Sequence, residues 1–223
     1  MTISKLDVAS VKKDIAICNE LVLNGGDWEK KNKLKIYNGV LCILIRDYKK
    51  ASDLFLDSVA TFSCSEFIDF WLFIFYTVIA SLVSQDWATI KSKVVHNPEI
   101  LTVIWDIPHL KTYLESFFRC EYKTFFQSFC EISDKIKKDK YFEHNKNYLF
   151  YIKEMRLVAY KQFLESYKSV TIKSMAHNFG VSVEFIDKEL SSFIAAGKLA
   201  CVIDKVEGII ESTRGDKWVE AQY

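Results

Sequence analysis

A mostly α-helical fold is predicted: a right-handed helical-repeat stack followed by a C-terminal winged helix. Three observations predict it. Gly and Pro number 7 and 2 in 223 residues, about 4% of the chain against roughly 12% in average proteins, which leaves few breakers for a sandwich, barrel or propeller. Apolar residues recur at spacings of three and four through the first part of the chain. The last sixty residues instead run helix, turn, helix and two short β-rich segments, the order of a winged helix. Half of the residues are hydrophobic and 26% are charged, which supports a buried core and excludes disorder. Lys plus Arg is 30 and Asp plus Glu is 29, so no overall charge draws the chain to nucleic acid or anionic lipid.

Residues 4–24 form the first expected helix, with Val8, Val11, Ile15, Cys18 and Val22 on one stripe, Ser4 and Asp7 at its start and Gly25-Gly26 at its stop. Asp27 caps a second helix to about Ile45, with Leu34, Leu41 and Leu44 inward, and Asp47-Tyr48 breaks it. A third helix is expected from Lys49 to Phe62. Gly39, Ala51 and Phe55 stand twelve and then four residues apart, the spacing at which a tetratricopeptide repeat sets its small and aromatic packing residues. An ordinary helix hairpin fits the same residues. Further helices are expected at 64–84, 86–95, 98–104, 108–118 and 120–138, with Pro98 and Pro108 in first turns that tolerate them. A long helix over 144–167 ends this part.

Thr171 then caps a short helix through His177, Gly180 makes a tight turn, and Ser182 opens a second helix that ends at Gly197. Phe179, Phe185, Ile186, Leu190 and Phe193 are the expected core of this module. Leu199–Ile203 and Gly208–Ser212 form its wing, joined by residues 204–207. So small a sheet leaves an edge with unpaired backbone groups, and Ile209 and Ile210 are expected beside it. Leu199, Cys201, Ile203, Ile209, Ile210 and Glu211 are therefore the candidate protein-interface residues, meeting a neighbour by backbone pairing.

Other chemistries find little support. Residues 67–83 are almost wholly apolar, interrupted by Asp69, Thr77 and Ser81, but they fall short of the roughly 20 residues of a spanning helix and lack basic flanks. They read as a buried helix of the stack. Lys5, Asp7, Lys12, Lys13 and Asp14 leave no apolar stretch for a signal peptide. The six cysteines, at 18, 42, 64, 120, 130 and 201, form no C-x-x-C and read as buried, reduced thiols of a cytosolic or nuclear protein. His96, His109, His144 and His177 are isolated, and Glu143-His144 has no nucleophile or metal ligand near it in sequence. No Walker loop, dinucleotide fingerprint, nucleophile elbow or H-E-x-x-H is present, so no catalytic residue, metal or cofactor is expected. The second helix of the winged module carries Glu184, Asp187 and Glu189 against Lys188, a face that phosphates repel, so no specific DNA binding is expected. Lys30, Lys31, Lys33 and Lys35, and Lys135, Lys137, Lys138 and Lys140, read as solvated helix faces.

The segment YIKEMRLVAYKQFLESY at residues 151–167 resembles the long helix that enters a PCI domain. The stretch from Met175 to Ser212, MAHNFGVSVEFIDKELSSFIAAGKLACVIDKVEGIIES, resembles a PCI winged helix closely. Asn24–Gly39 and Lys49–Phe62 resemble the helical repeats that precede it, so the likeness covers essentially the whole chain. The family is that of the proteasome lid, the signalosome and a translation initiation factor, and the lid subunits are the nearer match, with the Phe193–Leu199 run favouring them over the signalosome paralogue.

The resemblance implies a non-catalytic scaffold of the proteasome regulatory particle, cytoplasmic and nuclear, in ubiquitin-dependent degradation. Its implied partners are the other PCI subunits of the lid, with the ATPase ring and the lid deubiquitinase as further contacts. A signalosome-type scaffold and a nucleic-acid-associated winged helix are the alternatives. The implied division is 1–140 for the repeats, 141–213 for the PCI long helix and winged helix, and 214–223 for a tail. Family members have a helical arm before this region and a helix after the wing, so Met1–Tyr223 reads as a fragment. Thr213-Arg214-Gly215-Asp216 lacks the Asn and Pro that flank this Arg in the family.

Overall fold

The computed structural model describes residues 8–23 and 27–212. Among the described residues ten α-helices form the stack: α1 (Val8–Leu23), α2 (Trp28–Leu44), α3 (Tyr48–Leu56), α4 (Phe70–Ser84), α5 (Trp87–Thr89), α6 (Pro98–Val103), α7 (Leu110–Phe118), α8 (Tyr122–Lys137), α9 (Lys140–Glu143) and α10 (Asn147–Glu165). The winged module follows as β1 (Ser169–Thr171), α11 (Ile172–Phe179), α12 (Val183–Ala195), β2 (Cys201–Asp204) and β3 (Ile209–Ser212).

Short polar side chains start half of these helices. Asp27, Asp47 and Asp86 accept the N–H groups of Trp28, Lys50 and Thr89, and Asn97 accepts those of Glu99 and Ile100. Asp139 accepts those of Tyr141 and Phe142 in the same way. The expected Ser4–Asp7 cap and Gly25-Gly26 stop lie outside the described residues, as does the turn at 213–216.

The repeat spacing has a direct packing meaning. Gly39 of α2 lies under the Phe55 ring of α3, and a Cβ there would stand 2.3 Å from Phe55 Cε1. Ala51 and Phe55 are fully buried, and the Phe55 ring meets Phe73 of α4 edge-on at 5.4 Å between centroids. Leu34, Leu41 and Leu44 are buried on the same helix as Gly39. The Ser52 and Ser81 hydroxyls bond at 2.8 Å across α3 and α4, so the buried polar groups at this contact are satisfied.

α4 is the centre of the stack, buried continuously from Phe73 to Leu82. This is the apolar run that invites a membrane reading. Among the described residues no helix is long and apolar enough to cross a membrane.

Segments about a hundred residues apart in sequence meet at a polar latch. Arg46, in the left-handed region at φ +66°, closes α2 and sends its Nε to Asn147 Oδ1 at 2.8 Å and its Nη2 to the Asn145 carbonyl at 3.1 Å. Asn147, fully buried at the start of α10, donates back to the Leu44 carbonyl at 2.9 Å. Tyr151, one turn on, bonds Tyr113 Oη at 3.0 Å and the Ile79 carbonyl at 3.1 Å, so α10 is pinned to α4 and α7. The long helix is thereby built into the stack.

Several boundaries differ from expectation. The third helix ends at Leu56, and a separate 3₁₀ turn covers Val59–Thr61. The fourth begins at Phe70 instead of 64, because Phe67 and Ile68 bond the Cys64 carbonyl in a turn of their own. Residues 87–95 are one α turn followed by the π-helical segment Ile90–Val95. The helix expected over 144–167 starts at Asn147, since Asn145 and Lys146 both take positive φ. Three cysteines also depart: Cys18, Cys120 and Cys130 are exposed, because their helix faces and turns meet solvent. Cys42, Cys64 and Cys201 are buried, and burial pushes each thiol's pKa up, which keeps it neutral.

Gly39→Ala tests the repeat contact. It forces the fully buried Phe55 ring to move and should cost about 1–3 kcal/mol, read as a lowered denaturant midpoint with unchanged slope. An unchanged midpoint would mean that the hairpin has room to spare.

Candidate protein-interaction site on the winged helix

Local instructions assemble the winged module. Thr171 Oγ1 accepts the Ser174 N–H at 3.1 Å and Ser182 Oγ accepts that of Phe185 at 3.2 Å, capping α11 and α12. Gly180 takes φ +67° at the end of α11, and the Val181 N–H returns to the Ala176 carbonyl at 3.1 Å. α11 thus runs to Phe179, two residues past His177. In the wing loop the Asp204 carboxylate accepts the Val206 and Glu207 N–H groups at 2.8 and 3.2 Å, and Gly208 closes the hairpin at φ +67°.

Phe179, Ile186, Leu190 and Phe193 are buried. Phe185 is not part of this core, being 37% exposed. Its neighbour Ile186 sets the buried stripe with Leu190 and Phe193, and one residue back is a rotation of about 100° around the helix. The core also reaches beyond the module. Phe179 contacts Tyr122 and Phe126 of α8 and Tyr160 and Phe163 of α10, with centroids 4.8, 4.9, 5.2 and 5.4 Å away. Two ion pairs flank this socket, Arg156–Glu189 at 2.8 Å and Glu154–Lys198.

The sheet has three strands in the order β1–β3–β2, all antiparallel. This corrects the expected edge. Val170 of β1 pairs with Ile210, so β3 is the central strand and Ile210 is 1% exposed. Ile210 is thus packing, and no longer a candidate for the edge. The expectation missed β1, because three residues carry no periodicity. Its only signal is the β-branched pair Val170-Thr171 before the cap.

Among the described residues two edges remain, the short β1 and the longer β2. The Ile172 N–H to Gly208 carbonyl bond (2.9 Å) and the Ser212 N–H to Lys168 carbonyl bond (3.1 Å) fix the hydrogen-bond phase of β1 against β3. Alternation then turns the Ile209 and Glu211 backbone toward β2, where they meet Asp204 and Val202. Cys201 and Ile203 therefore direct their own N–H and C=O groups outward from β2. Leu199 and Cys201 keep their side chains buried, Ile203 and Ile209 are half-buried and Glu211 is exposed. Val202 is the exposed apolar side chain of β2, at 56%, and Val206, at 96%, stands in the wing loop after it.

The acids counted on α12 are partly engaged: Asp187 meets Lys205 at 3.8 Å and Glu189 meets Arg156. Glu184 and Lys188 stay exposed. Among the described residues no group of three or more His, Cys, Asp or Glu is placed to hold a metal ion.

A helical-repeat stack that runs into a docked winged helix, with one edge of its sheet unpaired among the described residues, defines the fold class. Comparison with known proteins makes the class specific. Residues 1–93 match the family described as 26S proteasome subunit RPN7, and residues 108–214 match the PCI domain. The chain belongs to this RPN7-type PCI family. It is 51% identical over 211 residues to a 26S proteasome non-ATPase regulatory subunit 6 homolog of Arabidopsis thaliana, covering 95% of this chain and 54% of the relative. It is 36% identical over 232 residues to the 26S proteasome regulatory subunit RPN7 of Saccharomyces cerevisiae, covering 100% of this chain and 53% of that one. The COP9 signalosome complex subunit 1 of Arabidopsis thaliana is 23% identical over 187 residues, covering 83% of this chain and 42% of the relative. The chain spans about half the length of the curated proteasome relatives it matches.

Phe179→Ala should cost about 3–5 kcal/mol and make the chain cleavable by protease between Phe163 and Thr171. Phe185→Ala should cost well under that amount, since the ring is already partly in water. Equal melting temperatures for the two variants would contradict the socket.

Proposed function

We propose that the chain is a non-catalytic scaffold of a proteasome lid-type assembly, joining other PCI subunits through the β2 edge of its wing. The observation that carries this reading is the edge itself. It has outward backbone groups at Cys201 and Ile203, exposed Val202, exposed Val206 in the wing loop after it and no proline to guard it. The aromatic socket around Phe179 supports it, because a docked wing presents that edge in one orientation to a neighbour.

On this reading residues 1–140 form the arm, 141–213 form the PCI module, and 214–223 are a tail. The assembly acts in ubiquitin-dependent protein degradation in cytoplasm and nucleus. The ATPase ring and the lid deubiquitinase are partners of the assembly beyond the neighbouring PCI subunits. The identities of 36–51% to proteasome subunits, against 23% to a signalosome subunit, favour the lid over the signalosome.

Ile203→Pro removes an outward N–H and leaves the ladder to β3 intact, a substitution that edge strands tolerate. It should weaken co-purification with co-expressed PCI subunits at least about tenfold while the chain stays folded by circular dichroism. Ile210→Pro, on the central strand, should instead unfold the module. Normal assembly by a folded Ile203→Pro protein would remove the β2 edge as the interface.

A further inference from the structure

We infer that the arm carries a second docking groove, bounded by α4, the α6–α7 connection and α8, for a partner segment that presents a carboxylate beside an apolar side chain. The groove encloses about 480 Å³ and is lined by Trp71, Val103, Asp106, Ile107, Pro108 and Lys135. It lies on the helical stack, apart from the wing, and stands independently of the lid reading.

Its walls have the composition of an interface centre. Trp71 is 44% exposed, and Val103, Ile107 and Pro108 add apolar surface to the same lining. Large exposed tryptophans are costly to leave in water and dominate binding energy where a partner covers them.

Lys135 gives the chemistry of the occupant. Its ammonium stands 5.0 Å from the Trp71 ring centroid and 4.7 Å from that of Phe75, so two aromatic faces hold the cation in a half-buried position. Among the described residues no carboxylate forms an ion pair with it. The acid that acts on it, Asp139, is committed elsewhere, to the Tyr76 hydroxyl and to the N–H groups of Tyr141 and Phe142. Burial lowers the Lys135 pKa, with Asp139 opposing the change. The neighbouring cation Lys111 lies over Trp105 and pairs with Glu115 at 3.6 Å. A single carboxylate from outside would therefore find a cation with little water and no counter-ion.

Asp106 narrows the choice further. It lines the same groove, so a polyanion such as RNA or a sheet of anionic lipid would meet a negative charge in the groove as well as the positive one. A protein segment with one acid set among apolar residues satisfies both constraints.

The test pans a phage library of random peptides of about 12 residues against the immobilised full chain. Enriched sequences should place Asp or Glu within a few residues of Trp, Phe, Leu or Ile. Synthetic versions, followed by fluorescence anisotropy, should lose at least about tenfold in affinity to Trp71→Ala and to Lys135→Glu. Lys135→Met, which keeps the stem over the rings, should bind without preferring acidic peptides. Peptides with the acid changed to Lys should regain binding to Lys135→Glu. The inference is overturned if no acid-and-apolar pattern is enriched, or if the enriched peptides ignore both substitutions in proteins that melt normally. A dimer in sedimentation that Trp71→Ala dissolves would also overturn it, by making a second copy the occupant.

Discussion

The contact on which the rest depends is the seating of Phe179 among Tyr122, Phe126, Tyr160 and Phe163. The winged module occupies only residues 169–212, near the size at which a single apolar core stops being sufficient by itself. It borrows the core it lacks from α8 and α10. Each ring pair in such a cluster adds about 0.5–1.5 kcal/mol beyond the area it buries. Gly180 enters the same contact from the backbone side, because a Cβ there would stand 2.9 Å from the Lys123 side chain. The αL turn that ends α11 is therefore also what lets the module approach α8.

The polar contacts around this socket act on direction more than on total stability. Arg156–Glu189 and Glu154–Lys198 are partly exposed pairs, a type worth up to about 1 kcal/mol each. They join α10 to α12 and to the residues leading into β2, so a rotation of the wing would break both at once. At the other end of α10, the Arg46–Asn147 latch fixes the helix against α2. A helix held at both ends transmits the orientation of the arm to the sheet. That property suits a subunit whose neighbours must be met at fixed angles.

The parts of this arrangement legible in the sequence are those written in local code. Asp27, Thr171, Ser182 and Gly180 read directly as caps and stops, and Gly39 with Phe55 read as a close helix contact before any coordinates. The core positions Ile186, Leu190 and Phe193 follow from helical spacing alone. What was not legible depends on contacts distant in sequence. β1 is three residues long and exists because β3 needs a partner, a fact invisible at Ser169–Thr171. Phe185 reads as core by hydrophobicity, and only the phase set by its neighbours leaves it in water. Cys18, Cys120 and Cys130 likewise depend on which helix faces the stack leaves uncovered. The Lys135 groove has no sequence motif at all. Its residues come from three separate stretches of the chain, Trp71, residues 103–108 and Lys135, and Lys135 reads there as one more surface lysine.

The edge of β2 sharpens the distinction between these two surfaces. Natural sheets blunt their edges with prolines, inward charges or covering segments. Among the described residues this chain does so on one side, where β1 covers β3, and leaves β2 unpaired with Val202 in solvent. Backbone pairing at that edge is nearly indifferent to the partner's sequence, so by itself it would accept many strands, including those of other copies. Selectivity must then come from side chains placed around it and from the orientation fixed by the Phe179 socket. A second groove reading a carboxylate through Lys135 and Trp71 has the opposite character, since it discriminates by chemistry and adds little by shape. A protein with both can combine a generic joint with a specific address, and linking two such contacts multiplies their affinities without new area at either.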